Sequence, residues 1–172
     1  MGQNSAWLHL KYLMLALVIV ALSLTGCIKI EVIDHQDKAD TATSPTPDEH
    51  DLAILAIDFD PPLDDYEQLL NDPEGITLMI AVENTGLSTE NDGLVKTQLT
   101  ADEGETILLE RSAEITSIAP GETRVVRFTQ IPCPPYRATY QLFVEVAQVP
   151  GETNLANNSR TYELRLVFTD KD

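Results

Sequence analysis

The chain has 172 residues and carries 28 Asp and Glu against 11 Lys and Arg, which gives a formal net charge of −17. This charge excludes nucleic acid as a favourable partner, because an acidic surface repels the phosphate backbone. All three histidines, His9, His35 and His50, precede Asp51. The rest of the chain therefore lacks the residue needed for Ser–His or Cys–His catalysis and for histidine metal sites.

The N-terminal segment has the pattern of a secretory signal peptide. Residues 12–24, YLMLALVIVALSL, are uncharged and follow a polar head that contains one cation, Lys11. A short apolar stretch followed by small residues is typical of such a peptide, whereas a membrane-spanning helix needs about 20 apolar residues. We predict a signal peptide over residues 1–26, and an uncleaved signal anchor is the alternative.

The apolar stretch ends in Leu24, Thr25, Gly26 and Cys27, a run that resembles the lipobox of bacterial lipoproteins. The resemblance implies that a diacylglycerol is attached to the Cys27 thiol and that the signal peptidase cuts just before this residue. Two or three acyl chains make a stable anchor. The protein would then lie at the cell membrane or outer membrane, facing the periplasm or the cell exterior. Ile28 is not an acidic retention residue, which favours the outer membrane where one exists.

The segment after Cys27 is predicted to be a spacer. Residues 28–50 include DKADTATSPTPDEH, which is rich in Thr, Pro and charge and has little to bury. Such a composition predicts a disordered tether, so that residues 27–50 comprise the lipidated cysteine and this tether. It would span about 25–30 Å as a coil. A short strand at IKIEVI is the alternative.

From residue 51 to residue 172 the amino-acid composition differs from that of the preceding segment. Short stretches rich in Val, Ile, Leu, Thr and Tyr alternate with clusters of Gly, Pro, Asn and Asp. This spacing predicts an all-β sandwich, and apolar residues at every second position give each strand one face for the core. The seven predicted antiparallel strands cover residues 52–59, 76–84, 94–100, 106–113, 124–130, 139–148 and 160–169.

Several connections between the strands are predicted to be turns. ENDG at 90–93 and DEGE at 102–105 are predicted to be hairpin connections. PGET occurs at 120–123 and again at 150–153, and Pro followed by Gly fits the central pair of a type II turn. Residues 60–75 interrupt the strand rhythm, and LDDYEQLL within them predicts one or two helical turns.

Four stretches in this order resemble the CARDB domain, the cell-adhesion-related domain of bacterial surface proteins. They are DLAILAIDF from Asp51, ITLMIAVENTG from Ile76, SIAPGETRVVRFT from Ser117 and YQLFVEVAQVPGETNLANNSRTYEL from Tyr140. The resemblance implies an immunoglobulin-like sandwich of seven strands. It also implies a non-catalytic module that makes extracellular contacts.

The last stretch contains the family's E-x-N-x-x-N-N pattern, formed by Glu152, Asn154, Asn157 and Asn158. These four residues are the candidate binding loop, because carbonyl and carboxylate oxygens suit Ca²⁺. The alternative is a hairpin loop whose Asn side chains cap backbone groups. We prefer the interpretation as a capping hairpin loop, and we predict no metal or other cofactor.

Two other sets of reactive side chains also have a structural interpretation. Asp58, Asp60, Asp64 and Asp65 could form a carboxylate pair for acid–base chemistry, but an exposed acidic loop is the preferred interpretation. Cys133 in IPCPPY has no histidine to activate it. We predict a buried or half-buried thiol there, and an intermolecular disulfide is the alternative.

The sequence thus predicts a membrane-anchored envelope lipoprotein that is not an enzyme. Its CARDB domain would mediate adhesion or bind another envelope or surface protein. Two alternatives stay open: an accessory subunit of an envelope transport or secretion complex, and a hydrolase of cell-wall polymers that uses carboxylates alone.

Overall fold

The computed structural model describes residues 27–35, 48–137 and 139–169. The predicted signal peptide and residues 36–47 of the predicted tether lie outside this range. The chain divides into a large unit, Ile28–Val167, and a small one, Met1–Cys27 with Phe168–Asp172. No helix within the described part of the chain is long and apolar enough to cross a membrane.

Two β-sheets make up the large unit. The five-stranded sheet has the order β1-β8-β7-β4-β5, and the three-stranded sheet has the order β2-β3-β6. This all-β sandwich confirms the predicted fold class, and all seven predicted strands are present. The elements are β1 Cys27–Asp34, β2 Leu52–Asp60, α1 Tyr66–Asn71, β3 Ile76–Asn84, β4 Glu90–Ala101, a 3₁₀ turn Asp102–Gly104, β5 Thr106–Ile118, β6 Thr123–Ile131, β7 Thr139–Val146 and β8 Ser159–Thr169.

The core follows from the period-two pattern. In β3 every second side chain is buried, starting with Ile76, and β7 has the same alternation from Tyr140 to Val146. Alternate side chains of a strand point to opposite faces, so one face of each sheet packs against the other sheet. The central apolar residues are at most 2% exposed and include Leu52, Ile54, Leu78, Ile80, Val82, Val95, Tyr140, Leu142, Val144 and Val146.

One predicted turn is wrong. ENDG does not close a hairpin, because β4 begins at Glu90 and pairs with β5 from that residue onward. Glu90 is only 5% exposed, and Asp92 adopts a φ of +60° inside the strand. The strand thus absorbs these turn-prone residues as a local irregularity, and residues 85–89 carry the chain from one sheet to the other. DEGE is confirmed as the β4–β5 connection.

Residues 28–34 were predicted as part of a disordered tether, but they form most of strand β1. This is a correction, and the alternative short strand at IKIEVI is the one observed. Ile30 is 6% exposed and belongs to the core. Its backbone N–H donates to the Leu63 carbonyl over 2.7 Å. Burial of an alternating apolar residue therefore holds β1 against the sandwich.

The predicted helical turns are confirmed as α1. Asp65 caps the helix, because its carboxylate accepts the Gln68 N–H over 3.0 Å, a contact that satisfies an otherwise orphaned donor. Tyr66 and Leu69 are the buried residues of the helix. The Tyr66 hydroxyl donates to the Pro134 carbonyl over 2.9 Å, so the helix is fastened to the β6–β7 loop.

We expect that Ile30→Ala will lower the free energy of unfolding by about 2–4 kcal/mol, because it removes a buried side chain and leaves a cavity. Urea or thermal unfolding of the chain from Cys27 onward would measure the loss. Val32→Ala is the matched control, since Val32 lies on the same strand but is 39% exposed. An Ile30→Ala protein as stable as the control would contradict the assignment of β1 to the sandwich.

Candidate functional site

The candidate binding loop packs onto the start of β2, and Glu152 is the residue that joins them. Its carboxylate is 4% exposed. One oxygen accepts the Leu52 N–H over 2.8 Å and the other accepts the Val149 N–H over 2.9 Å. Both oxygens of this buried acid are therefore used to satisfy backbone donors.

Two of the three asparagines bind a second buried acid, Asp51, which is 7% exposed. Asn157 donates its amide N–H to Asp51 Oδ1 over 2.9 Å, and Asn154 donates to Asp51 Oδ2 over 3.3 Å. Asn158 turns away and donates to the Val146 carbonyl over 3.4 Å. The structure thus brings Glu152, Asn154 and Asn157 together around residues 51–52, while Asn158 secures the end of β7.

This arrangement is a structural clamp in which every carboxylate oxygen of Glu152 and Asp51 accepts a hydrogen bond, whereas the amide oxygens of Asn157 and Asn158 are buried without a partner. Calcium needs six to eight oxygen ligands, but the Glu152 and Asp51 carboxylates already accept hydrogen bonds at every oxygen. Among the described residues, no group of three or more His, Cys, Asp or Glu side chains is arranged to hold a metal ion. The geometry favours the interpretation in which the loop residues cap backbone and side-chain groups.

The two PGET sequences form the same local turn. In the first, Gly121 has a φ of +71° and Glu122 N–H donates to the Ala119 carbonyl over 2.9 Å. In the second, Gly151 has a φ of +93° and Glu152 N–H donates to the Val149 carbonyl over 3.2 Å. In both, the Glu carboxylate accepts the N–H of the residue three positions before it. Both predicted turns are confirmed.

Asn84 completes the same end of the sandwich, and sequence reasoning assigned it no role. Its side chain is fully buried and donates to the carbonyls of Ser88 and Ile118 over 2.8 and 2.9 Å. Its amide oxygen accepts the Gly86 N–H over 3.0 Å. A side chain on Gly86 would place its Cβ 2.7 Å from the Asp51 nitrogen. The VENTG run at 82–86, which ends the second CARDB-like stretch, therefore marks a site where two backbones pass closely.

Residues 48–51 form hydrogen bonds both with residues 87–90 and with the loop that contains Thr153. The Leu87 and Ser88 N–H groups donate to the Glu49 carbonyl over 3.1 and 2.9 Å. His50 Nδ1 lies 2.8 Å from an oxygen of the buried Glu90, and the Thr153 hydroxyl binds Asp48. We call these residues, together with 84–90 and 149–158, the clamp end of the sandwich. No local pattern indicates these contacts, because each joins residues far apart along the chain.

The two cysteines lie in different settings. Cys27 is the first residue of β1, whereas the other three lipobox residues lie outside the described part of the chain. Cys133 is half-buried, as predicted, and its Sγ lies 3.8 Å from the Pro134 carbonyl oxygen. Burial raises the pKa of the Cys133 thiol above its usual value. It is therefore disfavoured as a thiolate nucleophile.

The exposed face of the five-stranded sheet carries a shallow groove of about 370 Å³. Phe143 lies in it and is 36% exposed. Gln98 pairs with Phe143 across the β4–β7 ladder, and Lys96 pairs with Glu145. Aromatic side chains are enriched in protein–protein interfaces, and Phe143 is the aromatic residue of this groove. The lining residues are Lys96, Thr97, Gln98, Glu110, Arg111, Ser112, Phe143 and Glu145.

We expect that Glu152→Ala will lower the free energy of unfolding by about 2–4 kcal/mol, because it leaves two buried N–H groups without an acceptor. Denaturant unfolding would measure the loss. Glu122→Ala is the matched control from the other PGET turn, where the single donor, Ala119 N–H, belongs to an exposed residue. We expect the control to lose less than about 1 kcal/mol. Equal losses would show that the clamp contributes nothing beyond the turn.

Comparison with solved structures finds several similar domains. A domain, residues 272–376, of a protein described as a cell surface protein from Methanosarcina acetivorans is 21% identical, with 72% of this chain and 94% of that one covered and a TM-score of 0.46. A CARDB domain from Pyrococcus furiosus, solved in complex with di-metal ions, is 18% identical, with coverages of 76% and 100% and a TM-score of 0.45. The C-terminal domain of wzt is 13% identical, with coverages of 72% and 74% and a TM-score of 0.45.

No curated protein matches the chain. The CARDB family model, however, matches residues 51–162. This range runs from the buried Asp51 of the clamp into strand β8 and includes both PGET turns and the E-x-N-x-x-N-N loop. It covers well over half of the 172 residues, and the chain therefore belongs to the CARDB family.

Proposed function

We propose that the protein is an envelope lipoprotein anchored through Cys27, whose CARDB domain binds another component of the envelope or cell surface without catalysing a reaction. The observation that carries the proposal is the position of Cys27. It ends the lipobox-like run and is itself the first residue of β1, a strand that precedes the CARDB-matched residues 51–162 in the chain.

The membrane is the first proposed partner, and it is reached through the lipid. An acidic chain gains nothing from anionic headgroups, so acyl chains supply the attachment. Each buried CH₂ contributes about 0.8 kcal/mol, and two or more chains hold a protein stably. Ile28 after the lipid-bearing cysteine supports transfer to an outer membrane where the cell has one.

The second proposed partner is a protein that meets the Phe143 groove. The groove offers an aromatic ring, Lys96 and Glu145 on rigid strands, which is a better scaffold for recognition than a loop. The clamp end is a poorer candidate, because its buried acids Glu152 and Asp51 are engaged within the domain. Arg111 of β5 donates to the Thr129 and Gln130 carbonyls of β6, so addition of a partner strand there would compete with an existing contact.

We expect the protein extracted from membranes to have an intact mass that begins at Cys27 and includes acyl chains. The Cys27→Ser variant should lose both the acyl mass and the membrane attachment, because the thiol is the acceptor. Intact mass spectrometry of both proteins is the measurement. Cys133→Ser is the matched control and should keep the acyl mass. A wild-type chain that is unacylated, or that starts at another residue, would refute the anchor.

The contact face is testable by photo-crosslinking in the cell envelope. A photoreactive residue at position 143 should yield a discrete adduct with one partner, because this position lies in the groove. The matched control is position 125, since Val125 is also apolar and 47% exposed but lies on the outer face of the three-stranded sheet. The same adducts from both positions, or none from position 143, would contradict the proposed face. An adduct with a transport or secretion component would identify an accessory subunit.

A further inference from the structure

We infer that the end of the sandwich that carries α1 faces the membrane at close range, and that no spacer lifts the domain away from it. This orientation rests on the proposed lipid anchor at Cys27. It makes the α1 end a membrane-facing surface and leaves the clamp end to point away from the bilayer.

The chain enters the domain within three residues of Cys27. Ile28 follows the anchor residue directly and already belongs to β1. Two residues later, Ile30 is buried and its N–H binds the Leu63 carbonyl over 2.7 Å. Three residues of fully extended chain reach at most about 10 Å. Whatever direction the chain takes before Ile30, Cys27 stays within that distance of the entry point.

Three segments of the chain meet at this end of the sandwich. Leu63 lies between β2 and α1 in the chain, and α1 is fastened to the β6–β7 loop by the Tyr66–Pro134 hydrogen bond. The rings of Tyr66 and Tyr136 meet edge to face with centroids 6.1 Å apart. The β4–β5 turn is adjacent, because Arg137 lies 3.9 Å from Asp102. We call α1, residues 132–137 and residues 102–108 the α1 end.

The α1 end and the clamp end are separated by the length of strand β2. Strand β2 starts at the clamp with Leu52 and runs for nine residues to Asp60, close to α1. At about 3.3 Å per residue, this strand is about 30 Å long. An anchor within about 10 Å of the α1 end therefore cannot also be near the clamp end.

Residues 36–47, which were predicted to belong to the tether, lie in the chain between β1 and the clamp end. The His35 N–H donates to the Thr161 carbonyl over 3.2 Å, near the start of β8. Asp48, at the other side of the segment, is bound by the Thr153 hydroxyl at the clamp end. The chain therefore leaves β1 and enters the clamp at the same end of the sandwich. This segment connects two parts of the domain, and its length does not set the distance to the membrane.

The surface chemistry of the α1 end fits a neutral membrane interface. Leu70, Ile107 and Tyr136 are 53%, 56% and 51% exposed, and tyrosine is enriched where one side of its ring is apolar and the other is wet. The same end carries acidic side chains that repel anionic lipid. The partner that suits both features is a zwitterionic bilayer surface. The acids at or next to this end are Asp60, Asp64, Asp65, Glu67, Asp72, Glu74, Asp102, Glu103 and Glu105.

The test uses tryptophan as a depth reporter, because the one native tryptophan, Trp7, precedes Cys27. Leu70→Trp and Leu155→Trp are a matched pair. Both replace an exposed leucine, 53% and 48% exposed, at opposite ends of the sandwich. Each variant is made in the mature chain, residues 27–172, with Cys133→Ser so that Cys27 is the sole thiol. This chain contains the whole compact unit Ile28–Val167.

Each protein is coupled through Cys27 to a maleimide lipid in zwitterionic vesicles, with and without bromine-labelled acyl chains. We expect the bromine to reduce the fluorescence of the Leu70→Trp protein at least about twofold, and to leave the Leu155→Trp protein nearly unchanged, since only the first lies at the membrane-facing end. Tyr136→Trp provides a second reporter at the α1 end and should behave like Leu70→Trp.

Equal quenching of the two ends, stronger quenching at position 155, or no quenching at either position would overturn the orientation. Chemical coupling makes this outcome independent of acylation in the cell. If mass spectrometry finds no lipid on native Cys27, the proposed anchor fails, while the quenching still reports whether a membrane tied to Cys27 meets the α1 end.

Discussion

The buried carboxylate of Glu152 is the constraint on which the clamp end depends. An ionised acid in the interior is costly unless its oxygens are hydrogen-bonded, and here the Leu52 and Val149 N–H groups provide both partners. One donor belongs to the first residue of β2, in the three-stranded sheet. The other belongs to the loop between β7 and β8, two strands of the five-stranded sheet. One side chain therefore sets where β2 begins relative to β7, and Asp51 with its two asparagine donors repeats the link beside it.

The clamp and strand β1 together give the sandwich two chemically distinct ends. At the clamp end, the buried carboxylates form hydrogen bonds within the domain. At the α1 end, apolar and aromatic side chains stay exposed around the point where the chain enters through Ile30. Under the proposed anchor at Cys27, one end would face the membrane and the other the surroundings. The Phe143 groove, on the strands between the two ends, would then remain open to the proposed partner.

The two PGET turns separate what local sequence specifies from what it does not. Pro presets φ and Gly accepts a positive φ, so both tetrapeptides form the same turn and the same Glu-to-backbone hydrogen bond. Yet Glu122 is half-exposed and pairs with Arg124 at the surface, whereas Glu152 is buried and binds Leu52. The difference arises from a residue 100 positions away in the sequence, which no local pattern encodes. The ENDG segment makes the same point, since pairing with β5 overrides its turn propensity.

The sequence by itself determined the all-β class, the seven main strands, the helical turns and three of the four predicted turns, because these depend on alternation and on residues with fixed backbone preferences. Tertiary structure decided the rest. It made residues 28–34 a strand, since the burial of Ile30 depends on the distant Leu63 and the core around it. It also turned a candidate binding loop into a clamp, because the partners of Glu152, Asn154 and Asn157 lie about a hundred residues earlier. Hydrogen bonds and burial are properties of neighbours in space, and only the folded chain brings those neighbours together.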